Sequence, residues 1–253
     1  MNTLLIIGAT STMASNCARL WVTDSKKNFE KVVLVARNKE KLSVIANDLK
    51  ARSANKIEIK ELYADFSDEN SVIQLCDEIK QEEGEFTTVL IAHGVLSDNT
   101  KCRDNYHLIS SSITVNSTSV AILLESIVAK MNKDQNKGNI GVIGSVAGDR
   151  GRASNYIYGA TKGFVEKYVE GLQHFLALTK SRIKITLIKP GQTRTAMTAN
   201  LDNSKFAPVE VVARDIVKAV NHGKKTVYTP YKWKIIMTVI RWIPSFIFNK
   251  INI

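Results

Sequence analysis

The sequence predicts a doubly wound α/β fold in a single domain: a parallel sheet with helices on both faces and an apolar helix in the C-terminal tail. Two observations predict it. Short β-branched runs alternate with amphipathic stretches of helical period nearly from end to end, which is the pattern that crossover connections between parallel strands leave. A chain of 253 residues, 44% apolar and 23% charged, can bury one large core and shows no linker, repeat or low-complexity segment.

The elements follow in order. Residues 4–7 (LLII) read as a first strand, and Gly8 stands where the chain must turn into a helix over 12–23. KVVLVA at 31–36 is a second strand, followed by a helix over 39–52; residues 57–63 are a third strand, with a helix over 69–82. TVLIA at 88–92 is the fourth strand, and a long helix is expected over 113–131. A fifth strand over 140–143 leads to a second long helix at 158–179, then a sixth strand, IKITLI, at 183–188. A helix over 209–221 and a short strand at 226–228 end the alternation.

In such folds ligands bind outside the carboxyl ends of the strands, where the strand order reverses. The first such turn carries Gly8, Thr10, Ser11, Thr12 and Met13. A glycine there permits a tight turn, and the helix N-terminus offers unpaired N–H groups to a pyrophosphate. With one glycine instead of three, an ordinary βα turn reads the same way. The second strand ends in Ala36-Arg37-Asn38, without the carboxylate that would hold the ribose hydroxyls of NAD. Arg37 suits a 2′-phosphate, so NADP(H) is favoured and NAD(H) stays open; a solvated charge at a helix start is the other reading of Arg37. Asp65, after the third strand, is placed to accept a hydrogen bond from an adenine amine.

The fifth strand runs into Ser145, and the next helix carries Tyr158 and Lys162 one turn apart on one face. A free phenol has a pKa near ~10. An ammonium one turn away favours the phenolate and brings that value toward the working pH. Tyr156 competes for the role but has no lysine at helical spacing. Ser145 is placed to hold a reacting oxygen.

Ser145, Tyr158 and Lys162, with Asn116 in the preceding long helix, resemble the Ser-Tyr-Lys-Asn set of the short-chain dehydrogenases/reductases, from Leu4 to about Tyr228. The resemblance implies a Rossmann-type NAD(P)-binding catalytic domain over 1–230 and oxidoreduction between CH–OH and C=O. It implies that Ser145 polarises a carbonyl, Tyr158 donates the proton and Lys162 tunes Tyr158 and binds the nicotinamide ribose. Asn116 is implied to hold a water connecting Lys162 to solvent, and Pro190, Gly191, Thr193 and Thr195 to line the nicotinamide site. Thr12 and Ala14 replace family glycines, and Ala92-His93-Gly94 replaces an Asn-Ala-Gly segment, with His93 either touching the cofactor ribose or packing the backbone. The turns at 8–11, 92–94 and 147–152 are most similar to the subgroup of decaprenylphosphoryl-2-keto-erythro-pentose reductases. That likeness implies a keto-sugar on a polyprenyl phosphate and a role in cell-envelope polysaccharide synthesis. Arg150 and Arg152, just after Ser145, are candidates to meet the substrate phosphate; salt bridges to Asp149 are the alternative.

The tail at 231–253 is distinct in composition. After Asp215 there is no acidic residue, while Lys232, Lys234, Arg241 and Lys250 are basic. Its polar residues, Lys234, Thr238, Arg241, Ser245 and Asn249, recur near the helical period and leave an apolar remainder. Arg241 and Pro244 spoil a membrane span. A helix or helix pair in the headgroup layer over 232–250, anchored by Trp233 and Trp242, fits; packing on the protein itself or on a second subunit is the alternative. The stretch from 194 to 206 reads as a lid.

The formal charge of +11 attracts polyanions, but no recognition helix or basic–aromatic interleaving supports nucleic-acid binding. Three scattered cysteines and four scattered histidines suggest neither disulfides nor a metal site. The N-terminus meets Gly8 too early for a secretory signal, so the expectation is a cytoplasmic homo-oligomer, peripheral on the inner face of the cell membrane. Against the keto-sugar reading stand a soluble reductase of a 3-ketoacyl thioester or small ketone, and a non-catalytic dinucleotide-sensing protein on the same fold.

Overall fold

The computed structural model of the chain describes residues 1–133 and 137–251. In chain order its elements are β1 (Asn2–Ile7), α1 (Thr12–Thr23), β2 (Lys31–Ala36), α2 (Lys39–Arg52), β3 (Glu58–Tyr63), α3 (Glu69–Gln81), β4 (Glu85–Ile91), α4 (Asn99–Asp104) and α5 (Tyr106–Ile113). There follow α6 (Ser119–Lys133), β5 (Asn139–Ile143), α7 (Tyr156–Leu178), β6 (Lys184–Pro190), α8 (Val209–Asn221), β7 (Thr226–Thr229), α9 (Lys232–Trp242) and α10 (Ser245–Phe248). The strands form one sheet in the order β3-β2-β1-β4-β5-β6-β7, with every pairing parallel. The order reverses between β1 and β4, which opens a crevice beyond Ile7 and Ile91.

Side chains alternate across a strand, and β1 shows why its 4–7 run is apolar at every position. Leu4 and Ile6 pack under α1, α2 and α8, whereas Leu5 and Ile7 pack under α3, α6 and α7. All four are fully buried, as in a sheet covered on both faces.

Two departures from the sequence reading bear on the site. Helical structure begins well before 113: α5 runs through a π-helical turn (Thr114–Thr118) into α6, giving one 28-residue helix from Tyr106 to Lys133. Side-chain caps start the early helices, Asp98 accepting from the Thr100 N–H at 2.9 Å and Asn105 from the His107 N–H at 3.1 Å. The π turn shifts the face the helix presents and brings Asn116 fully inside. Second, Pro244 divides the tail into α9 and α10, because the residue before proline avoids helical geometry.

The 194–206 connection is pinned at its base. The Arg194 N–H donates to the Ala207 carbonyl at 2.9 Å, and the Ala207 N–H donates to that of Gln192 at 3.0 Å.

Candidate active site

The crevice beyond β1 and β4 has two lobes that share Ser11, Met13, Ala92, His93, Gly94 and Thr195. The first, about 330 Å³, is lined by Gly8, Thr10, Thr12, Arg37 and Asp65 as the sequence predicts, and also by Phe66. Gly8 has φ +79°, and a Cβ there would lie 2.5 Å from the His93 backbone nitrogen; only glycine suits that position. Ser11 stands at the N-cap of α1 without a side-chain cap, so the first-turn N–H groups and the positive helix end face the lobe. Ser67 donates its N–H to Asp65 Oδ1 at 2.9 Å and its hydroxyl at 2.7 Å. These bonds, with Arg37 nearby, hold the Asp65 carboxyl below its ordinary pKa.

His93 is buried and stacks on Phe66, ring centroids 4.0 Å apart. Its Nε2 lies 2.8 Å from Ser119 Oγ, whose own hydroxyl donates to the Val115 carbonyl at 2.8 Å. The Ser119 proton being engaged, Nε2 must donate, which leaves Nδ1 an acceptor; that atom is buried with no hydrogen-bond partner among the described residues. Burial, reinforced by the Lys162 charge, pushes His93 down to about 3, so the ring is neutral. A glycine-backed cradle, an open helix terminus and an orphaned buried acceptor are what a dinucleotide's phosphates and hydroxyls require. The residues fit such a group.

The second lobe, about 290 Å³, gathers Ser145, Tyr158, Lys162, Pro190, Gly191, Thr193 and Thr195, together with Arg152, Asn155 and Trp233. Ser145 Oγ accepts the Ala147 N–H at 3.1 Å, which leaves its own proton to donate. Lys162 Nζ donates to the Ile143 carbonyl at 3.1 Å and lies 5.8 Å from the Tyr158 ring centre. Burial pushes this lysine down to about 8. The expected lowering of Tyr158 by Lys162 is not what the cleft produces. Burial raises the phenol above its ordinary value, and the hydrogen bond with Ser145 opposes that shift. Tyr158 therefore holds its proton at neutral pH, the state a proton donor needs.

Asn116 sits deeper. Its Nδ2 donates to the Val95 carbonyl at 2.9 Å and to Thr161 Oγ1 at 3.2 Å, while its Oδ1 accepts the Val95 N–H at 2.8 Å. Gly94 keeps the space between it and the lysine open: a Cβ there would lie 3.0 Å from Asn116 Oδ1 and 3.5 Å from Lys162 Nζ.

The two arginines part. Arg152 enters the cleft, its Nε buried without a hydrogen-bond partner among the described residues, like the neighbouring Asn155 Oδ1. Arg150 does not. Its Nη1 donates to the carbonyls of Ile240 at 2.5 Å and Ile243 at 2.6 Å, and the guanidinium lies 3.7 Å over the Phe248 ring. It caps the C-terminus of α9, whose last carbonyls lack intrahelical partners. Asp149, the alternative partner of these arginines, is in direct contact with Lys189, and its charge also acts on Arg152. Trp233, read as an outward anchor, faces the cleft.

Fold and site together define a nucleotide-dependent oxidoreductase, with Ser145, Tyr158 and Lys162 gathered in one lobe of the crevice. The short chain dehydrogenase family profile matches residues 2–205, and the chain belongs to that family of NAD(P)-dependent enzymes. It is 26% identical over 220 residues to an uncharacterized oxidoreductase of Mycobacterium tuberculosis, covering 87% of this chain and 86% of that one. It is 31% identical over 193 residues to an uncharacterized oxidoreductase of Staphylococcus aureus, covering 75% and 78%. A short-chain dehydrogenase from Sphingobium yanoikuyae, solved in complex with NADPH, has a TM-score of 0.80 at 23% identity, covering 97% of both chains.

Proposed function

We propose that the protein is an NADPH-dependent reductase of a keto-sugar carried on a polyprenyl phosphate, acting at the inner face of the cell membrane in cell-envelope polysaccharide synthesis. The observation that carries the substrate reading is Arg152. Burial disfavours the charge of this half-buried guanidinium and Asp149 opposes that effect. Its Nε has no hydrogen-bond partner among the described residues, and the side chain lines the lobe that holds Ser145 and Tyr158. A phosphate beside the reacting carbonyl satisfies it bidentately. NADP(H) is preferred over NAD(H) because Arg37 lines the first lobe where a 2′-phosphate would lie, and the Sphingobium relative was solved with NADPH.

When bound, the nicotinamide nucleotide supplies the hydride. Gly8, Thr10, Ser11, Thr12 and Met13 hold its phosphates, Asp65 and His93 the adenosine side, and Pro190, Gly191, Thr193 and Thr195 the nicotinamide side. Ser145 donates its free proton to the carbonyl oxygen, which fixes the ketone against Tyr158 Oη. Tyr158, kept protonated by its surroundings, transfers its proton to that oxygen. Lys162, already inclined to release a proton, restores the phenol, and Asn116 holds the 94–95 turn against which Lys162 is set. The enzyme works as a homo-oligomer: α7 presents an exposed apolar stripe containing Phe164, Phe175 and Leu178, which a second copy would cover.

The test is NADPH and NADH oxidation with a panel of ketones: polyprenyl-phosphate keto-sugars, free keto-sugars, 3-ketoacyl thioesters and small ketones. The proposal requires the phosphorylated keto-sugar to be preferred and Arg152→Ala to erase that preference. Equal losses on phosphorylated and unphosphorylated substrates would refute the phosphate contact. A preference for a 3-ketoacyl thioester or small ketone would establish the soluble-reductase alternative. Nucleotide binding without turnover of any ketone would point to a sensor.

A further inference from the structure

The tail is fastened at both ends to the catalytic loops. At its start the Trp233 indole lies so close over Gly191 that a Cβ on that glycine would overlap the indole Nε1. Trp233 thereby forms part of the lobe that holds Ser145, Tyr158 and Lys162. At its far end α9 is capped by Arg150, five residues beyond the catalytic serine, whose guanidinium also lies over Phe248 of α10. Movement of the tail thus alters the nicotinamide turn and the serine loop together.

Little else holds it. Among the described residues of α9 and α10, Met237 is the one buried side chain. The outward side carries Ile235 at 60% exposure, Val239 at 60%, Trp242 at 82% and Phe246 at 71%. An apolar surface of this extent marks a site of association, and an element with so few buried contacts opens at low free-energy cost. Around the stripe stand Lys232, Lys234, Arg241 and Lys250, and no acidic residue follows Asp215. That charge selects the occupant. In a two-fold contact the same patch meets itself, and a second copy would set these cations against their duplicates. An anionic lipid leaflet neutralises them while its acyl layer takes the apolar side chains.

We propose that the tail is a membrane-borne wall of the active site: Trp233, on its inner side, determines which ketones fit, and contact of its outer side with an anionic bilayer holds that wall in place. The inference rests on the reductase reading of the cleft but not on which sugar is reduced. An anionic surface lowers the free energy of the seated tail and so raises the population in which Trp233 closes the lobe.

The experiment uses the full chain, NADPH, a small and a bulky water-soluble ketone, and vesicles of phosphatidylcholine alone or mixed with phosphatidylglycerol. The protein should sediment with the mixed vesicles at least about tenfold more tightly than with phosphatidylcholine, since each basic residue near the surface contributes. The mixed vesicles should raise kcat/KM severalfold. The double variant Trp242→Ser/Phe246→Ser should lose both effects and keep the vesicle-free rate. Trp233→Ala should still bind vesicles, lose the stimulation, and change the bulky-to-small selectivity by roughly tenfold, the scale on which a few carbons in a pocket discriminate.

Vesicle binding without a rate change, or unaltered selectivity in Trp233→Ala, overturns the coupling and leaves the reductase reading standing. Absence of vesicle binding, with a self-association that the double variant abolishes, overturns it by showing that a second copy covers the tail. NADPH oxidation with neither ketone, despite vesicle binding, overturns the reductase reading and this inference with it.

Discussion

β6 carries a lysine into the interior, and replacing it should damage the protein in a predictable way. Lys189 is 1% exposed, contacts an Asp149 oxygen, and lies 2.7 Å from Glu166 Oε1. The Tyr228 hydroxyl donates to Asp149 Oδ2 at 3.1 Å. Lys189→Met leaves two carboxylates in this region without their shared cation. Removing one partner of a buried ion pair costs about 3–5 kcal/mol. In a chain of this size each kcal/mol moves the melting temperature by about 2–4 °C, so Tm should fall by roughly 6–20 °C. Burial alone would lower the Lys189 pKa, but the bonds to Asp149 and Glu166 outweigh it and hold the value above the ordinary one. A raised lysine stabilises fully below its unfolded pKa, near ~10, and that stability is lost as pH climbs through the folded value. Thermal unfolding of wild type and variant at neutral pH, then at stepwise higher pH, measures both effects. A loss under about 1 kcal/mol at neutral pH, or a gap between the two proteins that widens as pH rises past lysine's range, would refute this reasoning.

Further outcomes follow from the same geometry. Arg37→Ala should raise KM for NADPH about tenfold or more while leaving NADH nearly unchanged, as loss of a charge-assisted phosphate contact requires; equal effects on both nucleotides would remove Arg37 from the 2′-phosphate. Gly191→Ala should displace the Trp233 indole and lower kcat/KM, and Trp233→Ala in the same chain should recover part of that loss; no recovery would mean that the glycine matters for another reason. Since Lys162 is pushed down to about 8, kcat/KM for reduction should fall as pH rises through that value. In the residual turnover of Lys162→Arg, whose guanidinium keeps its proton, this limb should disappear. A limb that stays near 8 in that variant belongs to another group.

Much of this was legible in the sequence because strands covered on both faces are predominantly apolar, and such runs stood out between helical stretches, with the alternating run at 57–63 falling at the sheet edge. The grouping of Ser145, Tyr158 and Lys162 in one lobe was legible because Tyr158 and Lys162 lie one turn apart and Ser145 follows a strand. What escaped depends on contacts distant in sequence. Arg150 resembled an anion ligand only while the C-terminus of α9, 90 residues on, was out of view. Trp233 resembled Trp242 in composition, and only the fold shows that one faces the cleft and the other solvent. The Lys189 cluster left a trace that could have been read: a lysine inside a parallel-strand run needs buried carboxylates, and Asp149 and Glu166 lie beside the motifs already singled out. The helix before residue 113 was missed because Ser110-Ser111-Ser112 breaks the apolar period, although Asp98 and Asn105 were caps in plain view. The effect of Lys162 on Tyr158 was overestimated because helical spacing reports proximity and says nothing of burial, which here raises the phenol.

Replacing the phenol tests the account most directly. Tyr158→Phe removes one oxygen, in contact with Ser145, and keeps the ring that Lys162 lies over. Calorimetry should show NADPH bound as in wild type, while kcat/KM for ketone reduction falls by about 10²–10⁴-fold, the usual worth of a positioned proton donor. Turnover within a fewfold of wild type, with nucleotide binding intact, would contradict it.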